Sequence, residues 1–455
     1  MASILQTTTL AAAIASAAHL SPARAAVTAE EAALLKTTLT PLGAERGPNK
    51  AGTIPAWTGA VTQGASLGAD GRRADPFASE KPLFSVTPEN MGQYADQLTE
   101  GSKALLQKYS KTFRIDVYPT HRTAVAPQWV YDNVARNALN AKLIDGGAGP
   151  MPEGAFGGVP FPIPKTGLEV MWNHALRWRP ESWYWEFRGY QGTPEGKWIM
   201  VNESANDHSM PYYSKAGSAA KFAGEYWLVR SFNSGPPIRA GEAITGRLQV
   251  DESKSQAWVY LTGQRRVRKL PNACCDTPTP FSAGVISFDE VEGFVGRLDR
   301  FDWKLVGKKE VFVPYNSNRL MQPRKDSDVL ATNHLNPDHV RWELHRTWVV
   351  EAALKPGQRH TSPKSRYYVD EDTWTVVMGE RYDANGQLAR VPFTVPMVMT
   401  DAPGTIVVSF GTYDLVSGGT YVNGLVNERK AHFKVVPPYA DAKFTPDSMA
   451  AEGVR

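Results

Sequence analysis

DHVRWELHRTWVVEAALKPGQRHTSPKSRYYVDEDTWTVVMGERYDANGQLARVPFTV, running from Asp338 to Val395, is the stretch that decides the fold class. In its first run Val340, Trp342, Leu344, Trp348 and Val350 share one face. His339, Arg341, Glu343 and His345 alternate onto the other. A period of two with one apolar and one polar face is the pattern of a strand covered on one side, so the polar face is expected to meet water. Lys355-Pro356-Gly357 then turns the chain, and two more runs follow at 367–369 and 374–382, parted by the acidic corner Asp370-Glu371-Asp372. Asn385-Gly386 sits where a two-residue type I′ hairpin needs positive φ at both central positions. The stretch reads as an antiparallel meander of long, aromatic-rich strands.

The same alternation extends outward. Upstream, Trp183, Trp185 and Phe187 alternate with Tyr184, Glu186 and Arg188, and strand-like runs follow at 226–232 and 243–250. Trp258 and Tyr260 alternate with Val259 and Leu261 in a run ending in Arg265, Arg266, Arg268 and Lys269. Phe301, Trp303 and Leu305 lead into another run at 311–315, and the pattern closes at 405–413 and 421–426. No helical periodicity longer than a turn or two interrupts the strands after Gly167, which argues against βαβ units. Ten or more antiparallel strands in one unit imply a strongly curled sheet or a barrel.

Before Gly167 the pattern is helical and loop-rich. Thr28 and Glu31 form a capping box, Thr87-Pro88 opens a helix reaching about Tyr109, and Pro127 opens another reaching about Leu143. A Gly/Pro-rich connector spans 146–167. The expected organisation is a signal segment over 1–25, a helical and loop-rich region over 26–166 covering the sheet, an antiparallel β domain over 167–440, and a flexible tail over 441–455.

The 455 residues carry a net charge of +4 with acids and bases interspersed, which gives no footprint for nucleic acid. An uncharged apolar-to-small run over 4–20, followed by Ala23-Arg24-Ala25, reads as a secretory signal cut after Ala25. The mature chain is then expected to begin at Ala26 in the periplasm. No later run is long and apolar enough to span a bilayer, so an integral membrane protein is not expected. The two cysteines, Cys274 and Cys275, are adjacent, either as a vicinal disulfide or as small thiols under the Pro-rich loop 276–280.

Catalytic signals are thin. Gly64-Ala65-Ser66-Leu67-Gly68 matches the nucleophile-elbow pattern but lacks the strand before it and the helix after it. His334, His339 and His345, beside Asp338, fit no zinc spacing and read as surface histidines. The acidic corner lacks the glycine of a calcium loop and reads as a plain turn. No catalytic residue, metal ligand or cofactor is expected. The basic cluster Arg265, Arg266, Arg268 and Lys269 reads as a strand-end rim, either solvated or in contact with a partner or an anionic headgroup.

Longer motifs carry a resemblance. FPIPKTG at 161–167 leads to MWNH at 171–174. LVGKKE at 305–310 is followed by VPYN at 313–316, and NPDHVRWELHR at 336–346 by YVDEDTW at 368–374. With these the chain resembles the exported proteobacterial proteins known as domain of unknown function 1329. The resemblance implies kinship with periplasmic lipoprotein carriers of the LolA and LolB type. Their unclosed antiparallel β-barrel carries helices across its mouth. It also implies a lipid-like or other hydrophobic cargo, and proximity to an outer-membrane channel protein and a resistance-nodulation-division transporter. It supplies no catalytic residue.

On this reading Trp183, Trp185, Trp258, Tyr260, Trp303, Trp342, Trp348 and Trp374 are the candidates to line a concavity, since each ring brings ~150–250 Å² of largely apolar surface. Arg346 falls on the apolar face of its strand. It is expected either to reach the cavity rim and grip an anionic head, or to pair with an acid inside. The alternatives are a non-catalytic scaffold docking to a channel or transporter through the basic rim, and a hydrolase. A Ser, His and acid clustered at a cavity mouth would favour the hydrolase.

Overall fold

The computed structural model describes residues 27–453 except 61, 63, 65, 66, 69, 70, 271–273 and 431. The signal segment, Ala26 and Ser66 lie outside the described residues. Strands β1 (Phe84–Val86) and β2 (Ile115–Val117) lie in the N-terminal third, with a small hairpin β3 (Lys142–Gly146) and β4 (Gly149–Glu153). Then come β5 (Ser182–Gly192), β6 (Trp198–Ser209), β7 (Glu225–Gly235), β8 (Ala243–Gln249), β9 (Gln256–Leu261), β10 (Arg266–Lys269) and β11 (Phe301–Pro314). After the short pair β12 (Leu330–Ala331) and β13 (His334–Leu335) follow β14 (Trp342–Leu354), β15 (Lys364–Asp370), β16 (Val376–Tyr382), β17 (Leu388–Met399), β18 (Gly404–Asp414), β19 (Thr420–Leu425) and β20 (Lys434–Val435).

Sixteen of these strands form one sheet in the order β1-β2-β14-β15-β16-β17-β18-β19-β5-β6-β7-β8-β9-β10, with β11 alongside β14 and β20 alongside β5. The pairings are antiparallel apart from a single parallel bridge between Trp342 and Val117. The two halves of the chain are joined where β19 pairs with β5, so the C-terminal meander and the 182–269 meander share one surface. No pairing closes β10 onto β11 among the described residues, and the barrel stays open. The mainly β, open antiparallel architecture expected from the alternation is what the chain adopts.

Among the described residues five α-helices accompany the sheet: α1 (Ala29–Ala33), α2 (Glu100–Lys108), α3 (Gln128–Asn140), α4 (Gly167–Ala175) and α5 (Pro446–Gly453). The Thr28/Glu31 capping box starts α1 as read. The long helix expected from Pro88 to Tyr109 breaks in two: a 3-10 segment, Met91–Gln97, then α2. Leu98 turns extended there because Thr99 caps α2, its hydroxyl accepting from the Ser102 amide. α2 packs on β16 and β17 and α4 on β11 and β14.

α3 ends at Asn140, and β3 begins where the helix was expected to continue; β4 lies within the expected connector. α4 itself stands where strands were expected to begin. Its start was legible, because Thr166 and Glu169 form a full capping box.

The expected type I′ hairpin is corrected as well. The Gly386 amide donates to the Asp383 carbonyl, and within the turn only Gly386 has positive φ, +75°. The Asp383 side chain accepts from the Asn385 and Gln387 amides, which lets a longer turn replace the two-residue one. The C-terminal segment is not a frayed tail, since Phe444 and Met449 are fully buried. Met449 on α5 seals a small cluster with Ala243 and Tyr260.

The largest correction concerns β14. Its polar face is not wet: Arg341, Glu343 and His345 are all at most 1% exposed. N-terminal loops cover it and supply opposite charges, so the alternation is between an apolar layer and a sealed ionic layer. Arg341 pairs with Glu343 at 2.5 Å and Glu80 at 2.6 Å. His345 lies between Glu343 at 3.1 Å and Asp370 at 3.7 Å, stacked on Tyr315 with ring centroids 3.8 Å apart. The acidic corner is no plain turn, because Asp370, Glu371 and Asp372 are all buried. Arg122 grips both oxygens of Asp372, at 2.9 and 2.6 Å. Lys308 bridges Glu371 and Glu45, each at 2.7 Å. Of the three histidines read as surface, His334 is also fully buried, its Nε2 against the Thr112 hydroxyl at 3.0 Å, and only His339 is partly exposed.

Candidate functional site: a covered cavity on the β5–β9 half-sheet

Residues 274–300, between β10 and β11, lie back over the sheet instead of following its edge. The 3-10 turn Pro280–Ser282 rests on β5 and β6, and the turn Phe288–Gly293 rests on β16, β17 and β18. Ile286 is buried between them. Beneath this strap lies a cavity of about 340 Å³, within the ~300–1,000 Å³ range of small-molecule sites. Its wall is made by alternate residues of neighbouring strands: Trp185 and Phe187 on β5, Val229 on β7, and Ile244 and Leu248 on β8. Phe281, Ile286, Phe288 and Val291 line it from the strap. Gly246 leaves room at the centre, since a Cβ there would come within 3.1 Å of Val229. The cover was expected to be the helices of the N-terminal region. It is this irregular strap, whose Pro-rich sequence gave no helical or strand period.

Polar side chains, among them Asn202, Asn206, Ser231, Gln256 and Asn423, are interspersed with the apolar ones. Glu292 is held by Arg177 and, at 3.5 Å, by Arg179. Arg297 is matched by Asp299 at 2.6 and 2.5 Å. Desolvation pushes the Glu252 carboxyl well above its usual range, and one of its oxygens accepts from the Leu298 amide at 2.8 Å. His208 is 4% exposed and stacked on Trp183, with centroids 4.6 Å apart. Desolvation lowers its pKa to about 4; Glu292 and Asp207 oppose the shift and Arg179 adds to it. The cavity is therefore lined by apolar surface and neutral polar groups, with its formal charges already compensated.

The pKa of His208 makes a prediction. The folded imidazole binds a proton less readily than the unfolded one, so its contribution is complete above its ordinary 6.5 and lost as pH falls toward 4. The full shift corresponds to about 3 kcal/mol. Denaturant unfolding at pH 7.5 and 4.5 should show that slope, and H208F should flatten it over this window. A wild-type slope unchanged by the substitution would contradict the assignment.

Among the sequence-derived candidates, Trp185 is the one that lines the cavity. Trp183 stands behind it, stacked between His208 and Phe433. Trp258 and Tyr260 belong to the α5 cluster on the opposite sheet face, and Trp303 packs edge-on against Phe294. Trp342 borders a void of about 20 Å³, room for one water. Trp374 is fully buried, its indole N–H donating to the Leu42 carbonyl at 2.8 Å, and it stacks on Trp348. Arg346 takes the second of its two expected places. Its Nε donates to Glu371 at 2.6 Å and its Nη2 to the Glu45 and Gly47 carbonyls, inside the ionic layer and away from the cavity. Arg265, Arg266, Arg268 and Lys269 are exposed at the β9–β10 edge, with Lys269 over the Trp258 ring.

Sequence reasoning missed His208, Trp227, Val229 and Leu248 as wall residues. The available signal was that β6 and β7 interleave aromatic or aliphatic residues with Asn and Ser, too polar for plain core. Both cysteines are free thiols; Cys274 lines the cavity and Cys275 is buried with φ +63°.

Two constellations invite chemical readings. Ser287, Asp289 and His360 are joined, but through the acid: Ser287 Oγ donates to one Asp289 oxygen at 2.6 Å and His360 Nε2 meets the other at 2.8 Å. The serine meets the Asp289 and Glu290 carboxylates and not the imidazole, so the serine–histidine contact of a catalytic triad is not made at this cluster. Asp289 also pairs with Arg381 at 3.0 Å, which suits a structural clasp. Elsewhere His345, Asp370 and Asp372 bring ligand atoms within 4.8 Å of one another. Arg122 already occupies both Asp372 oxygens, so that cluster has its cation.

Fold and site together define an open, strongly curved antiparallel sheet holding a strapped, largely apolar cavity. The family model for proteins of unknown function DUF1329 matches residues 85–450, and the chain belongs to that family. An uncharacterized protein of Pseudomonas aeruginosa is 39% identical over 446 residues, covering 95% of each chain. Among solved structures, a DUF1329 family protein from Desulfovibrio piger shows 13% identity and a TM-score of 0.43, covering 62% of this chain and 97% of that one. A putative outer membrane lipoprotein-sorting protein domain from Vibrio parahaemolyticus gives 10% and 0.43, covering 62% and 98%. A LolA superfamily protein from Nitrosomonas europaea gives 12% and 0.37, covering 63% and 100%.

Proposed function

We propose that the protein is a non-catalytic binding or carrier protein for a lipid-like or other hydrophobic molecule, acting in the periplasm. The observation that carries this reading is the 340 Å³ cavity between β5–β9 and the strap. Each methylene moved from water into such a site contributes ~0.8 kcal/mol, and association costs offset much of the sum. The balance suits reversible capture and release. No helix among the described residues is long and apolar enough to cross a membrane, which leaves a carrier free to shuttle and says nothing of strands. In this role the protein delivers cargo to an outer-membrane channel protein or a resistance-nodulation-division transporter, with Arg265, Arg266, Arg268 and Lys269 as the contact surface.

N-phenyl-1-naphthylamine, an apolar dye that brightens on leaving water, tests the reading. One dye is expected to bind per chain and to be displaced by methyl dodecanoate at micromolar concentration. Absence of saturable uptake would overturn it.

A further inference from the structure

Two buried N–H groups in the cavity wall lack a hydrogen-bond partner among the described residues: Trp185 Nε1 and His208 Nε2. Their residues are 3% and 4% exposed, and their rings lie 6.3 Å apart. The character of the second follows from its neighbour. Trp227 Nε1, which can only donate, gives its hydrogen to His208 Nδ1 at 3.1 Å. Nδ1 is therefore the unprotonated nitrogen, and the ring hydrogen of the neutral imidazole sits on Nε2. Both groups are then donors, and both are uncharged.

The charges that line the cavity are spoken for. Glu292 is shared by Arg177 and Arg179, Arg297 is matched by Asp299, and burial disfavours charge on Glu252. An anionic head entering here would meet Arg297, the cation of the lining, already matched by Asp299, and burying an unpaired charge is strongly unfavourable. A purely hydrocarbon molecule would leave both donors unmatched, which also costs affinity.

We propose that the cavity selects apolar molecules that carry a neutral hydrogen-bond acceptor, such as the carbonyl of an ester, amide or ketone, and that Trp185 and His208 supply the donors. This rests on the carrier reading and narrows it: the preferred class is a neutral acyl ester, not a free fatty acid. It also moves head recognition from Arg346 to the β5–β6 pair.

Three probes of equal chain length decide it by competition with the bound dye at pH 8: methyl dodecanoate, dodecanoate and the corresponding alkane. The ester is expected to compete at least about tenfold better than either other probe, as two recovered hydrogen bonds require. W185F and H208F should each shrink the ester-over-alkane preference by about fivefold. The wild-type ranking stands without the variants should either fail to fold. Equal competition by ester and alkane, or tighter competition by dodecanoate, would overturn the donor assignment while leaving the carrier reading intact. Failure of dye and all three probes to bind would overturn both.

Discussion

Filling the cavity with V229W is expected to weaken uptake of methyl dodecanoate at least about 100-fold while leaving the fold in place. Val229 lines the cavity from β7, opposite His208 on one side and Gly246 on the other. An indole at this position would occupy the space of several methylenes. Excluding about four of them removes ~3 kcal/mol of apolar transfer, somewhat more than two decades of affinity. Because the added ring enters existing space, the overpacking cost that usually attends small-to-large changes should stay near ~1 kcal/mol. V416W, at a valine 75% exposed outside the site, is the matched control and should bind as the wild type does. Equal loss in both variants would point to a surface effect of tryptophan, and no loss in V229W would place the binding site elsewhere.

The second large effect is expected in the ionic layer under the N-terminal loops. Arg122 is 2% exposed in its side chain, holds both Asp372 oxygens and lies 3.6 Å from Glu371. R122M keeps much of the length and removes the charge, leaving buried carboxylates short of a partner. Breaking such a pair typically costs ~3–5 kcal/mol, mostly as the penalty of the charge left behind. E45Q is the contrast: Glu45 is 51% exposed and shares Lys308 with Glu371, so its loss should cost under ~1 kcal/mol. Urea midpoints measure both. A loss below ~1 kcal/mol in R122M would mean that water reaches the layer and that β14 has a wet face after all.

That layer shows where the sequence was readable and where it was not. The alternation through β14 and β5 correctly gave strands, and the turn residues between 355 and 386 gave their antiparallel succession. Alternation reports polarity, however, and polarity is not exposure. Arg341, Glu343 and His345 look solvated because no local pattern shows that Glu80 comes from a distant segment to pair with Arg341, or that Asp370 on the next strand flanks His345. The same limit hid the cavity. Trp185 and Trp258 have equal claims as strand aromatics, and only β-sheet register and the path of the strap put one over the cavity and the other beneath α5. Arg346 was expected at the rim or paired with an acid inside, and its acid, Glu371, stands in the corner between β15 and β16.

The central claim is that this chain carries a hydrophobic passenger in the β5–β9 cavity. The most direct test is native mass spectrometry of the protein and of V229W, each purified without detergent from the native host. The expected result is a discrete adduct of one apolar molecule per chain on the wild type, extractable into organic solvent and absent from V229W. Bare-chain masses for both proteins, or the same adduct on both, would contradict it.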